Sequence, residues 1–390
     1  MVSRRATERI QGLMTAYQQS GIWGPHNPGQ SGKASPADAR RTNRSLIFSL
    51  LFPDVQLSRA ELGRRTGLSR VAVSDVVNSM LSCHLLRENG RESNGGKGKR
   101  GTLLSVDPDT LHIISIDLSQ PHLIQGEATT LLGEPVMHVE HALRAVNHVD
   151  FDTINEVITP LHAATQNVIG IGLAMPGVVD GNGLVKRSTL LGWRNVDVRT
   201  LIERRFSLPV TNDATAAMFT ERLFGKGGPN MMFVRLRRGV GGAVLLGDVP
   251  VFGENHAGGE IGHISLDPQG PPCACGKRGC LERLVSATSL HARLQRSDER
   301  MRASILREAG TYLGTALSMP VGLLDLADVC VYGQSDIVND TLLSAAQAQL
   351  DLLTGSSFHT RTIIRRCECE GEITLRGEAL SVLHDYLENR

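Results

Sequence analysis

The stretch GEIGHISLDPQGPPCACGKRGCLE, residues 259–282, carries one His, three Cys and two Glu. His263, Cys273, Cys275 and Cys280 supply three thiols and one imidazole, the ligand set of a closed tetrahedral zinc site. Gly276 and Gly279 leave the backbone free to fold tightly around one ion. Three thiolates on a divalent cation leave about one negative charge, and Lys277 with Arg278 lie in the same loop to offset it. With every position filled by protein, no place remains for an activated water, so the ion is expected to be structural. A loop held this way can aim its neighbours. Glu260, three residues before His263, and Glu282, two after Cys280, can present carboxylates to the hydroxyls of a polyhydroxylated ligand. Cys367 and Cys369 form a second CxC, in RRCECEGE, with no His or third Cys close in sequence, and no second metal site is expected there.

The whole chain must supply the scaffold for that loop. Its 390 residues exceed one ordinary core and imply two or three units. Hydrophobic content of 41% with 21% charged residues is that of a soluble globular protein. No apolar run approaches the roughly 18 residues of a membrane span, and MVSRRATERIQG lacks the apolar stretch of a secretory signal, so a cytoplasmic location is expected. Seven cysteines, an odd number with three in one loop, argue against a disulfide framework and for a reducing compartment. The net charge of +1 conceals an asymmetry: residues 38–100 hold twelve Lys/Arg against six Asp/Glu, a local +6, leaving about −5 elsewhere. That segment is a candidate polyanion binder.

Its pattern fits one. Residues 1–36, rich in Gly, Pro, Ser and Asn, read as a flexible tail. From Ala37 the pattern turns helical, with Leu46, Ile47, Leu50 and Leu51 on one stripe. Ser58 and Glu61 have capping-box spacing, Gly67 marks a turn, and Ser69 can cap a second helix bearing Val73, Val76, Val77 and Met80. After Leu86, RENGRESNGGKGKRGTLLSV supplies a basic hairpin, so residues 37–106 read as a winged helix-turn-helix that binds double-stranded DNA. The second helix would then place Ser69, Arg70, Val73 and Ser74 nearest the bases, with Asp75 and Asn78 further along. Arg91, Lys97, Lys99 and Arg100 of the wing would meet phosphates. From about Thr110 strands and helices alternate: LHIISIDL, GEPVMHVEHAL and VIGIGLAM read as strands and INEVITPLHAATQ as a helix, an α/β domain with mixed sheets in two lobes.

GEIGH, the CxC with its third Cys, and the LE that follows resemble the ROK family of sugar kinases and sugar-responsive repressors, over about Ala37 to the carboxyl terminus. The amino-terminal winged helix makes the chain similar to the repressor branch. The resemblance implies an actin-like (ribonuclease H-like) two-lobed domain over residues 107–390, with its zinc loop at 263–280, controlled by a sugar or sugar phosphate. It nominates Gly177 in AMPGVVDGNG, Asn212 and Asp213 in VTNDATAA, and Glu260, His263 and Glu282 as sugar contacts, His263 serving both zinc and ligand. Asp213 matches the general base of the family's kinases, although it could equally cap the helix that follows. The kinases' DxGGT phosphate turn corresponds to IDLSQPH, where Asp117 survives, Ser119 and Gln120 replace both glycines, and Pro121 has no N–H to donate. RGVGGAV keeps Gly239, Gly241 and Gly242 but has Val240 where a Thr hydroxyl is usual. The implied protein is therefore a homodimeric or homotetrameric repressor of carbohydrate genes rather than an enzyme, an ATP-dependent sugar kinase with a DNA-binding head being the alternative.

Overall fold

The computed structural model describes residues 36–91, 101–200, 208–358 and 360–389. The expected tail, up to residue 35, and Lys97, Lys99 and Arg100 of the wing lie outside these residues. The chain begins with helix α1 (Pro36–Leu51), strand β1 (Leu57–Ser58), helices α2 (Arg59–Thr66) and α3 (Arg70–Ser82), and strands β2 (Leu86–Arg91) and β3 (Thr102–Val106). The local punctuation works as its chemistry dictates. Ser58 Oγ accepts the Glu61 N–H at 3.4 Å and Ser69 Oγ that of Ala72 at 3.2 Å, while Gly67 ends α2 at φ 70°, a left-handed conformation that only glycine adopts cheaply. Strands in the order β1-β3-β2 form a small antiparallel sheet, and Ile47, Phe48, Leu62, Val77, Met80 and Leu104 are fully buried between it and the helices.

Two five-stranded sheets follow. The first comprises β4 (His112–Asp117), β5 (Leu123–Thr130), β6 (Pro135–Ala142), β7 (Val168–Met175) and β11 (Val210–Asn212), with helix α4 (Phe151–Ala164) between β6 and β7. A small sheet of β8 (Val178–Val179), β9 (Leu184–Ser188) and β10 (Trp193–Asp197) is inserted before β11. Helix α5 (Asp213–Phe224) leads to the second large sheet: β12 (Met231–Leu236), β13 (Val240–Leu246), β14 (Val249–Pro250), β15 (Asp328–Gly333) and β16 (Ile363–Arg366). Between β14 and β15 lie α6 (Leu281–Val285), α7 (Ala287–Leu294) and α8 (Glu299–Leu324); α9 (Asp340–Thr354) precedes β16 and α10 (Ile373–Asn389) follows it.

The two sheets share one wiring plan. Strand orders β11-β7-β4-β5-β6 and β14-β13-β12-β15-β16 each join a three-strand antiparallel meander to two parallel strands. Apolar runs such as Ile113, Ile114 and Ile116 on β4 and Met232, Phe233 and Val234 on β12 are fully buried, as strands covered on both faces require. Helices α5 and α10 pack against each other so closely that a Cβ at Gly377 would lie 1.7 Å from the Ala216 carbonyl oxygen. The end of α10 also receives the head: Ser45 Oγ donates to Glu388 Oε1 at 2.8 Å, and Arg44 donates to the Leu387 carbonyl. Tyr386 and Leu387 join the same apolar cluster as Ile47 and Phe48. No helix among the described residues is long and apolar enough to cross a membrane.

Helix α10 also carries Glu378, which is fully buried against β7 and takes one long hydrogen bond, from Thr211 Oγ1 at 3.5 Å. Burial pushes its carboxyl up to about 8. The folded state thus holds a proton that the unfolded chain releases near 4.5, so this contribution to stability is complete below that value and is lost as pH rises through about 8. Glu378→Gln is expected to match the parent at pH 4 and to exceed it by roughly 2–4 kcal/mol at pH 8 in urea unfolding. Gly377→Ala should lower the free energy of unfolding, read from the shift in the urea midpoint, by roughly 1–3 kcal/mol at either pH, because it overfills a helix crossing where the neighbour is backbone.

Candidate functional site

The loop between β14 and α6 folds its four predicted ligands together: one atom each from His263, Cys273, Cys275 and Cys280, all within 4.8 Å of one another. His263 Nδ1 lies 3.6 Å from Cys273 Sγ, and Cys275 Sγ lies 3.6 Å from Cys280 Sγ. Bonds of about 2.3 Å from sulfur to zinc place tetrahedral sulfurs a little under 4 Å apart, so the donors fit one ion. Gly276 at φ 97° and Gly279 at φ 58° make the turns expected of them; a Cβ on Gly279 would meet the Asp267 carbonyl oxygen at 1.7 Å. Burial and the adjoining thiols push Cys280 up to about 12, so this thiol resists ionisation until a cation compensates its charge.

His263 turns its two ring nitrogens to different tasks. With Nδ1 on the thiol side, Nε2 faces Glu260 Oε2 at 3.8 Å. Burial raises the Glu260 carboxyl, His263 opposes this, and Asp213 and Glu282 raise it further, so these acids share one electrostatic neighbourhood. Glu260 lines a cavity together with Gly177, Asn212, Thr215, Asp180 and His256. Gly177 adopts φ 112° because its backbone runs against β9, where a Cβ would meet the Arg187 carbonyl oxygen at 2.4 Å. Its own carbonyl accepts from Asn212 Nδ2 at 3.0 Å.

Not every nominated residue opens onto that cavity. Asn212, not Asp213, caps α5, its Oδ1 accepting the N–H groups of Ala214 and Thr215 at 3.0 and 3.1 Å. Asp213 is buried at the first position of α5, where Arg235 Nη1 holds its Oδ2 at 2.9 Å. The same guanidinium donates to Ser119 Oγ at 2.8 Å and stands 3.9 Å from Asp117 Oδ2. Burial disfavours the Arg235 charge, but Asp213 and Asp117 more than restore it. Asp117 Oδ1 in turn accepts the Ser119 N–H at 2.8 Å. Glu282 accepts the Val240 N–H at 3.2 Å, and Gly239 is needed beside it, since a Cβ there would lie 2.6 Å from Glu282 Oε2. Thr215, Asp180 and His256 were not anticipated. Thr215 stands one helical turn beyond Asn212, a signal the sequence offers, whereas Asp180 and His256 enter from separate loops and carry none.

On the head, Ser69, Arg70 and Asn78 are exposed and Ser74 is half-buried along α3, and Arg91 is exposed at the end of β2. Val73 corrects the expectation for this helix: only 1% exposed, it packs in the core with Val76, Val77 and Met80, and the apolar side chain on the outer face is Val71, 71% exposed. A helix has one phase, and a residue on the buried stripe cannot also reach a base.

Comparison with known proteins agrees with this architecture. Residues 127–315 match the model of the ROK family. The xylose repressor of Bacillus spizizenii is 29% identical over 271 residues, covering 67% of this chain and 70% of the repressor. Among solved structures, a ROK family transcriptional regulator described as a homologue of the Escherichia coli MLC protein superposes with TM-score 0.76 at 20% identity, covering 90% of this chain and 98% of that one. A ROK family glucokinase from Streptomyces griseus, solved with glucose and AMPPNP, superposes with TM-score 0.60 at 21% identity and covers 69% of this chain and 98% of its own. The regulator's wider coverage agrees with a two-lobed α/β fold behind a helical amino-terminal region, and the segment similar to the ROK family is residues 127–315.

Proposed function

We propose that this chain is a sequence-specific DNA-binding transcriptional regulator, a repressor of carbohydrate genes controlled by a sugar or sugar phosphate. Residues 37–106 are the winged helix-turn-helix head and residues 107–390 the effector domain. The observation that carries the reading is the seat of the head on α10: α1 bonds to the end of the helix whose other face lies against β7 and α5, beside the cavity. A ligand that favours one arrangement of the lobes can thereby bias the head, which is what a coupling between two binding sites requires. The similarity to a xylose repressor supports the class of effector. Gly177, Asn212 and Glu260 are assigned to the sugar, with Thr215, Asp180 and His256 completing the wall. Asp213, His263 and Glu282 stand behind them. Arg70, Ser69, Ser74 and Val71 are assigned to the major groove and Arg91 to phosphate. A symmetric dimer would match palindromic half-sites.

The kinase reading is disfavoured by Arg235. The carboxylate that would take the hydroxyl proton, Asp213, is held in a buried ion pair, and the Ser119 N–H and hydroxyl in the first turn are both engaged internally. Pro121 offers no donor, and the Val240 N–H of the second turn is given to Glu282. Nothing in that arrangement cradles a triphosphate. The His263, Cys273, Cys275 and Cys280 cluster is assigned to structural zinc, which supplies rigidity to the loop presenting Glu260.

Fluorescence anisotropy on duplexes from the chain's own gene neighbourhood, with and without a panel of pentoses, hexoses and their phosphates, tests the reading. Sequence-selective binding at physiological salt, weakened by one of these sugars, is expected; equal affinity for random duplex refutes it. Arg70→Ala should weaken specific binding by roughly 1–3 kcal/mol, and Asn212→Ala should leave DNA affinity intact while abolishing the sugar response. Chelation, or Cys273→Ser, should remove the loop zinc, lower the melting temperature and weaken sugar binding. Because the thiols must be deprotonated to bind, zinc should be lost progressively as the pH falls, which metal analysis after dialysis at pH 8, 6 and 5 would read.

A further inference from the structure

A second set of metal-binding side chains lies at the far end of α5. Glu221, in the last turns of that helix, is fully buried. Cys330 comes from β15, also fully buried, and Cys367 follows the end of β16, which pairs in parallel with β15. One donor atom from each of the three lies within 4.8 Å of the others. Cys367 Sγ donates to Glu221 Oε2 at 3.0 Å and neighbours Cys330. Cys369, the other half of the CxC, places its N–H on the same Glu221 oxygen at 3.2 Å and its thiol 3.7 Å from the Thr220 carbonyl. The third thiol that the CxC lacks in sequence is thus supplied by the adjacent strand.

We propose that Cys330, Cys367 and Glu221 form a site for a thiophilic divalent cation of the zinc class. Three observations support it beyond proximity. A buried structural thiol ordinarily sits among apolar groups, whereas these two sit against a carboxylate. Arg365 already lies in the shell, its Nη1 2.6 Å from Glu221 Oε1, so two thiolates, one carboxylate and one divalent ion meet a compensating positive charge. The Cys367 S–H points at the oxygen with which its sulfur would share the ion, so the cation takes the place of that proton. Binding one M²⁺ releases two protons, from Cys330 and Cys367, and changes no oxidation state. Asn212 and Asp213 open α5 beside the cavity and Glu221 lies near its other end, so the ion would fasten the far end of the helix that borders the effector pocket.

Metal content of the full chain, purified anaerobically with zinc supplied, tests this. Two zinc ions per chain are expected, falling to one in Cys367→Ser and to one in the double variant Cys273→Ser/Cys275→Ser. Cobalt loaded into the double variant should show sulfur-to-metal charge-transfer absorption from the remaining site. The proposal fails if the parent binds one ion that the double variant loses, or if Cys367→Ser leaves the count unchanged. It also fails if mass spectrometry finds Cys330 and Cys367 joined as a disulfide in the native chain. Should the double variant not fold, the Cys367→Ser count decides alone, and because the two variants remove different ions, loss of the first site cannot be mistaken for loss of the second.

Discussion

The Arg235 guanidinium, buried where the two large sheets meet, is the constraint around which the two-sheet domain is arranged. It rises from β12 of the second sheet and reaches Ser119 and Asp117 at the end of β4 of the first, as well as Asp213 at the start of α5. A charge in such a place is tolerated only when paired, and removing one partner of a buried pair costs about 3–5 kcal/mol. The feature that holds the lobes together therefore also fixes Asp213 and the turn at Ser119.

The second organising feature is the shared wiring of the two sheets. Each sheet is a meander extended by two parallel strands, and the helices that leave them, α5 and α10, cross at Gly377. Helix α5 thereby touches strands of both sheets, while α10 packs on α5 and on the first sheet. The cavity begins at the amino end of α5, the loop of His263 and the three cysteines lies beside it, and the amino-terminal head rests on α10. Interior contacts between helices at this separation are densely packed and do not deform continuously, so movement at one end is passed on as a change of arrangement.

Much of this was legible because it is local. Ser58, Glu61, Gly67 and Ser69 act through hydrogen bonds within a few residues, and the structure contains them as written. His263 and the three thiols are close enough in sequence that the loop has little freedom except to bring them together. What depended on distant partners was not legible. Val73 was ambiguous because α3 has apolar residues on both faces, and only packing against the rest of the head shows which stripe is buried. Arg235 reads in sequence as one basic residue among several in MMFVRLRR; its role needs Asp117 and Asp213 brought in from other elements. Cys330 looked solitary until β15 paired with β16, and the likeness of the two sheets is carried by topology rather than by any repeated string of residues.

The seat of α1 on α10 bears on how the molecule is assembled. Arg44 and Leu387, which meet there, are 343 residues apart. On a translating ribosome the head emerges early, with its own buried core and capped helices, yet its resting place does not exist until α10 has been made and has settled across the first sheet. The amino-terminal unit therefore waits, folded but unseated, until the 343 residues that separate the two contacts have been made.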